Sequence, residues 1–134
     1  MIIGLGCDIA KVERFSKGKA FIERFLRKYF TQKEQKEIQK KDEETDEKYI
    51  ILNLATRFSA KEAVAKALGS GFRDGITLKD IEILHDELGC PHVTLYKEAL
   101  TRAYFITHNQ QFQIHISLSN EQEFVNTVAV IETI

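Results

Sequence analysis

Two cysteines in 134 residues, Cys7 and Cys90, are too few for a disulfide framework, and they form no CxxC pair that would seed a cysteine-rich zinc site. Free thiols in a reducing cytoplasm are expected. Long apolar runs are also missing: none extends beyond a few residues, far short of the roughly 20 needed to cross a bilayer. The N-terminus lacks the basic start and apolar core of a secretory signal, because Gly4, Gly6, Asp8, Lys11 and Glu13 interrupt it. A soluble, unexported protein with no membrane partner follows. No internal repeat is visible, and the length suits one domain spanning 1–134 with one core. Hydrophobic residues at 43% and charged residues at 29% lie near globular averages, which disfavours disorder and fibrous repeats.

Excess charge is missing overall, the formal net charge being −1, and this argues against generic nucleic-acid binding. The average conceals asymmetry. Residues 11–28 carry Lys11, Arg14, Lys17, Lys19, Arg24, Arg27 and Lys28 against only Glu13 and Glu23, whereas residues 42–47 are mostly acidic. One basic surface is thus available to an acidic partner.

Hydrophobic periodicity divides the chain. Residues 2–9 read as a strand with Ile3, Leu5, Cys7 and Ile9 on one face, and Ile2, Gly4, Gly6 and Asp8 on a second face nearly bare of side chain. Residues 11–30 predict a short helix broken at Gly18, then another in which Phe21, Phe25 and Leu26 pack while Arg24, Arg27 and Lys28 share a face. Thr31 followed by Glu34 is a capping-box pattern opening a helix to about Lys40, and 41–47 reads as a solvated loop. A long helix is expected from about Glu47 to Leu68, with an apolar stripe through Ile51, Leu54, Phe58, Ala65 and Leu68 and Gly69 as its stop. Strands at 80–85 and 92–96 joined by the DELGCP turn, a helix at about 97–108, and strands at 111–118 and 124–133 complete a mixed α+β pattern.

Charged residues fall where this pattern predicts apolar ones. Asp8 lies on the bare strand face, and Lys61 and Glu62 interrupt the stripe of the long helix. Carboxylates buried there need a cation, and two of them without a histidine or cysteine cluster suit a hard, oxygen-seeking ion such as magnesium. The plainer alternative leaves Asp8 in a turn and pairs Glu62 with a lysine. Lys66, one turn beyond Glu62, is either a helix-surface ion-pair partner worth about 0.2–0.5 kcal/mol or a neutraliser of metal-bound phosphate. Gly69, Ser70 and Gly71 read as a helix cap; a phosphate would need charge from Lys61 or Lys66 to approach a helix C-terminus. His115 and Ser117 share the polar face of an amphipathic strand, and no serine sits in a nucleophile elbow, which disfavours hydrolase chemistry by an activated serine.

Three strings carry a resemblance: GLGCDIAKVERF at 4–15, RFSAKEAVAKALGSG at 57–71 and IHISLSNEQEFVNTVAVIE at 114–132. With DELGCP at 86–91, their order and spacing resemble the holo-acyl-carrier-protein synthase family of phosphopantetheinyl transferases along almost the whole chain. The resemblance implies the 4′-phosphopantetheinyl transferase fold, a mostly antiparallel sheet around a long central helix. It implies transfer of the 4′-phosphopantetheine arm of coenzyme A to an acyl-carrier-protein serine, in support of fatty acid biosynthesis. It further implies magnesium on Asp8 and Glu62, with Lys66 completing the catalytic set. Coenzyme A contacts are implied from Lys61, Lys66, Ser70, Gly71, Pro91, His115 and Ser117. Arg14, Arg24 and Arg27 would meet the acidic carrier, in agreement with the basic segment, and a homotrimer would place active sites at subunit interfaces. Cys90 and Asn120 depart from residues common in the family, lysine and a histidine or acid. A chain that had lost a metal ligand would instead be a non-catalytic coenzyme A or nucleotide-binding scaffold; both carboxylates and Lys66 are present here. A magnesium-dependent pyrophosphatase is the other alternative, separated by incubation without carrier.

Overall fold

The computed structural model describes residues 1–39 and 46–134. The predicted loop at 41–47 and acidic run at 42–47, except Asp46 and Glu47, and the predicted helix end at Lys40 lie outside the described residues. Strand β1 (Ile2–Lys11) runs into a single 3₁₀ turn (Val12–Phe15), followed by α1 (Lys19–Tyr29) and α2 (Gln32–Ile38). The long helix α3 (Glu47–Ala67) leads through a second 3₁₀ turn to the hairpin β2 (Ile81–His85) and β3 (Pro91–Leu95), then α4 (Lys97–Ile106), β4 (Phe112–Asn120) and β5 (Phe124–Thr133). Every strand pairing is antiparallel, in a three-stranded sheet ordered β1-β5-β4 and the separate β2-β3 ribbon, so the α+β expectation holds with two sheets in place of one.

The predicted stripe on α3 is too narrow. Ile51, Leu54, Ala55, Ala60, Ala63, Val64, Ala65 and Ala67 are buried around its whole circumference, and Phe58 is only half-buried. A helix covered on all sides shows no single apolar stripe. The segment predicted as a first short helix is instead the end of β1 and a 3₁₀ turn, while α1 begins after Gly18, whose φ of +93° suits glycine.

Strand β1 turns its bare face inward. A Cβ added at Gly4 would lie 1.9 Å from the Ala67 carbonyl oxygen, and one at Gly6 would lie 1.9 Å from that of Ala63. The glycines let the strand backbone rest directly on α3, which brings Asp8, two residues along, against the same helix. The outward face therefore keeps apolar side chains in solvent: Leu5 is 67% exposed and Ile9 66%, with Phe124 and Val128 exposed beside them on β5.

The expected capping box is present. Glu34 N–H donates to Thr31 Oγ1 over 3.2 Å, and Thr31 N–H donates to Glu34 Oε1 over 3.0 Å.

Candidate active site

The face shared by β1 and the C-terminal half of α3 gathers Asp8, Glu62 and Lys66. Glu62 and Lys66 are one helical turn apart, and the Lys66 ammonium donates to the Cys7 carbonyl over 2.9 Å and pairs with Asp8 Oδ1 at 3.3 Å. The Asp8 side chain is 14% exposed and that of Lys66 52%, so the pair lies at the mouth of the site, open to a ligand. Burial and the nearby Asp8 carboxylate push the Glu62 carboxyl above the usual glutamate range, while Lys66 and Arg14 pull the other way. Two carboxylates that repel across a partly desolvated gap are a donor set a divalent cation would relieve. Among the described residues no group of three or more His, Cys, Asp or Glu side chains is placed to hold a metal. Two carboxylates nonetheless fit magnesium, which keeps waters and substrate phosphates in the rest of its shell.

Supporting contacts include Ser59 and Thr127, which lie inside the motif strings without a role assigned there. Ser59 Oγ donates to the Asp8 carbonyl over 3.4 Å and accepts from Thr127 Oγ1 over 3.0 Å, tying α3, β1 and β5 together beneath the carboxylates. Arg14, exposed, lies with its guanidinium 5.5 Å from the centre of the Phe58 ring, one turn before Glu62 on α3. This places it at the rim of the site. At the C-terminus of α3, Gly69 N–H donates to the Lys66 carbonyl and Gly71 N–H to that of Ala65, so these glycines, both at positive φ, cap the helix. Ser70 Oγ donates to its neighbour's carbonyl at Gly71. Arg102 Nε donates to the Leu68 carbonyl over 3.0 Å, bringing a cation to the negative helix end. That charge comes from 34 residues away on α4, where the sequence carries no local signal of it.

Lys61 is a correction. Its side chain is fully buried, with Nζ donating to Glu34 Oε1 (2.8 Å) and to the carbonyls of Leu78 and Ile81 (both 2.7 Å), so it has no donor left for coenzyme A. Burial pushes its ammonium below the ordinary lysine range, against the opposing pull of Glu34. Of the remaining predicted coenzyme A contacts, Lys66 pairs with Asp8, Ser70 and Gly71 follow at the C-terminus of α3, and His115, Ser117 and Pro91 lie on other elements. His115 and Ser117 project from the outer face of β4, opposite to the face that packs on α3, and His115 Nε2 lies 2.9 Å from Glu132 Oε1. Pro91 starts β3, and a groove of about 580 Å³ between β3 and β4 is lined by His92, Leu100, Phe112 and His115 among others. Cys90 is exposed in the turn before it, its N–H donating to Asp86 Oδ1 over 2.9 Å. Arg24 and Arg27 are exposed on α1 while Ile22 and Leu26 are buried beneath them. No helix among the described residues is long and apolar enough to cross a membrane.

Comparison with known proteins points to one family and one fold. The family model described as the 4′-phosphopantetheinyl transferase superfamily matches residues 4–128. A holo-[acyl-carrier-protein] synthase of Wolbachia pipientis is 40% identical over 134 residues, covering 98% of both chains. The crystal structure of the holo-[acyl-carrier-protein] synthase of Neisseria meningitidis superposes with a TM-score of 0.79 at 32% identity, over 99% of this chain and 100% of that one. That of Bacillus anthracis, in complex with CoA (3′,5′-ADP), gives 0.77 at 27% identity over 100% and 99%. With the whole chain aligned and the carboxylates of two separate motifs meeting on one face, the chain belongs to the 4′-phosphopantetheinyl transferase superfamily, among the holo-[acyl-carrier-protein] synthases.

Proposed function

We propose that this enzyme transfers the 4′-phosphopantetheine arm of coenzyme A to a serine of apo acyl carrier protein, at the site built from Asp8, Glu62 and Lys66. The observation that carries the site reading is the convergence of a lysine and two carboxylates from β1 and α3 at one opening. The serine oxygen attacks the pantetheine-side phosphorus of the pyrophosphate. A new P–O bond forms, the bridging P–O bond breaks, and adenosine 3′,5′-bisphosphate leaves. Glu62 accepts the serine proton and passes it to solvent, while Lys66 balances charge growing on the departing phosphate. Magnesium, which Asp8 and Glu62 would hold, supplies electrostatic neutralisation of the pyrophosphate. Beyond that, the reaction needs alignment of the hydroxyl with the phosphorus.

Arg24 and Arg27 on α1 and Arg14 at the rim form the docking surface for the acidic carrier. His115, Ser117 and the turn at Pro91 reach coenzyme A across a subunit interface in a homotrimer, with Ser70 and Gly71 beside the helix end that Arg102 neutralises. The apolar outer face of β1 and β5, with Leu5 and Ile9 largely exposed, supports such an assembly, since contiguous exposed apolar surface marks interaction sites. The whole chain acts as one domain, in the cytoplasm, in support of fatty acid biosynthesis.

Intact-mass spectrometry of apo carrier protein incubated with this enzyme, coenzyme A and magnesium tests the reading, beside an Asp8→Ala control. The expected result is a gain of about 340 Da, from the elementary composition of the group, absent with the control. No gain with a folded protein that binds coenzyme A would assign it to the non-catalytic scaffolds.

A further inference from the structure

Among the described residues strand β2 pairs with β3 along one edge only, and its other edge is met by side chains. Lys61 Nζ donates to the Ile81 carbonyl over 2.7 Å and Arg57 Nη1 to the Ile83 carbonyl over 2.6 Å. The Ile83 and His85 N–H groups donate to Glu34 Oε2 (3.1 Å) and Glu37 Oε1 (3.0 Å). Two cations one turn apart on α3 and two carboxylates on α2 thus stand in for a neighbouring strand, and α3 is joined to α2 and the ribbon as one body. Lys61 is the most constrained member, with three hydrogen bonds, no solvent exposure and the Phe30 ring centre 4.8 Å from its Nζ.

The opposite side of α3 is smooth. Its closest contact with β1 is between Ala63 and Ala67 and the bare backbone of Gly4 and Gly6, flanked by hydrogen bonds from Ser59 and Lys66 to the Asp8 and Cys7 carbonyls. Side-chain ridges entering grooves hold packed elements in register, and Gly4 and Gly6 offer none; the directional contacts on this side are a 3.4 Å bond from Ser59 and one from the exposed Lys66, whereas the Lys61 clamp is buried and made of three bonds of 2.7–2.8 Å. Successive residues on an α-helix point about 100° apart, so a ligature at Lys61 determines where Glu62 points, and Lys66 one turn on.

We propose that Lys61 is a positioning residue for phosphopantetheine transfer: its clamp on Glu34, Leu78 and Ile81 sets the rotation of α3 that aims Glu62 and Lys66 at Asp8. The proposal rests on the reading of Asp8, Glu62 and Lys66 as the reacting site. It accounts for a fully buried lysine directly beside a half-buried glutamate, where an apolar side chain would pack at lower desolvation cost.

The test is the double variant Lys61→Met/Glu34→Gln, which removes the clamp without stranding a charge in the core. Its cooperative thermal unfolding is checked first, and kinetics are measured well below the midpoint. The expected result is a fall in kcat of about 10- to 100-fold, the scale of a misplacement near 1 Å, with KM for the carrier protein within about twofold of wild type. Manganese affinity in the presence of coenzyme A, read by electron paramagnetic resonance, is expected to weaken about tenfold, a change that lowered stability alone would not produce. A folded double variant with wild-type kcat and manganese affinity overturns the proposal. Should the double variant not fold, Lys61→Arg, which keeps the cation but changes its reach, is expected to lower kcat and manganese affinity together; unchanged values there overturn it equally. Glu62→Gln, assayed alongside, separates the two levels. Loss of kcat in Glu62→Gln with none in the double variant removes the positioning role alone, whereas normal kcat in Glu62→Gln removes the site reading beneath it.

Discussion

Replacing Gly6 by alanine adds one methyl group where β1 meets α3. That Cβ would sit 1.9 Å from the Ala63 carbonyl oxygen, 2.7 Å from the Ala67 nitrogen and 3.0 Å from the Ala63 carbonyl carbon, all of them backbone atoms with no rotamer to yield. Relief requires strand and helix to part by more than about 1 Å, because real Cβ atoms essentially never approach closer than 3.0 Å. Overpacking of a rigid contact costs about 1–3 kcal/mol, and with backbone on both sides the upper end is expected. In a chain of this length, about 3 kcal/mol lowers the melting midpoint by roughly 9–15 °C. The same displacement separates Asp8 on β1 from Glu62 and Lys66 on α3, so kcat of the folded fraction should fall about 100-fold. Gly4→Ala, with its Cβ 1.9 Å from the Ala67 carbonyl oxygen, should behave alike. One withdrawal of the helix accommodates both methyl groups, so the double variant should cost clearly less than the sum of the two singles. Urea or thermal unfolding with the mass-gain assay at fixed folded concentration measures all three. Wild-type stability and turnover in Gly6→Ala, or strict additivity in the double variant, would refute the direct-contact account of these glycines.

Glu62→Gln should stabilise the metal-free protein at neutral pH. The Glu62 carboxyl is raised in the folded state, so the folded protein binds more protons than the unfolded one above the ordinary glutamate range, and stability falls as pH rises through that window. The gain from Gln should therefore disappear on acidification below about pH 4, measured as paired melting curves. Reversing Arg24 and Arg27 to glutamate should raise KM for the carrier protein at least about tenfold and leave KM for coenzyme A unchanged, with the effect shrinking at high salt. Lys97, at φ +49° where α4 begins, is a non-glycine residue in the left-handed region. Lys97→Gly should raise stability by up to about 1 kcal/mol in urea unfolding, because relief of a strain of about 1–2 kcal/mol outweighs glycine's extra backbone entropy.

Much of the candidate site, and the buried Lys61 beside it, was legible because charged residues there break local patterns. Asp8 stands on a strand face that two glycines leave bare, and Lys61, Glu62 and Lys66 stand on a helix whose neighbours are apolar; the Thr31 and Glu34 capping box is a contact within one turn. Periodicity also placed the strands and the long helix to within a few residues, since each pattern is carried by consecutive side chains. It misread 11–15, where β1 and a 3₁₀ turn replace the expected helix, because segments so short take their conformation from what they pair with. It also expected a stripe on α3, where burial on every side leaves none.

Sequence alone determined which residues bear charge where charge is costly, where the chain turns, and which family motifs it carries. Only the tertiary structure decided which of those charges share a site. Lys61 and Glu62 are adjacent in the chain, but successive side chains on a helix point about 100° apart, and what lies opposite each is set by distant segments. Lys61 meets Glu34 and the carbonyls of Leu78 and Ile81 and is consumed by the core, while Glu62 feels the Asp8 charge and stays partly open to solvent. Arg102 and Ser59 gain their roles in the same way, from carbonyls at Leu68 and Asp8 that lie 34 and 51 residues away in sequence.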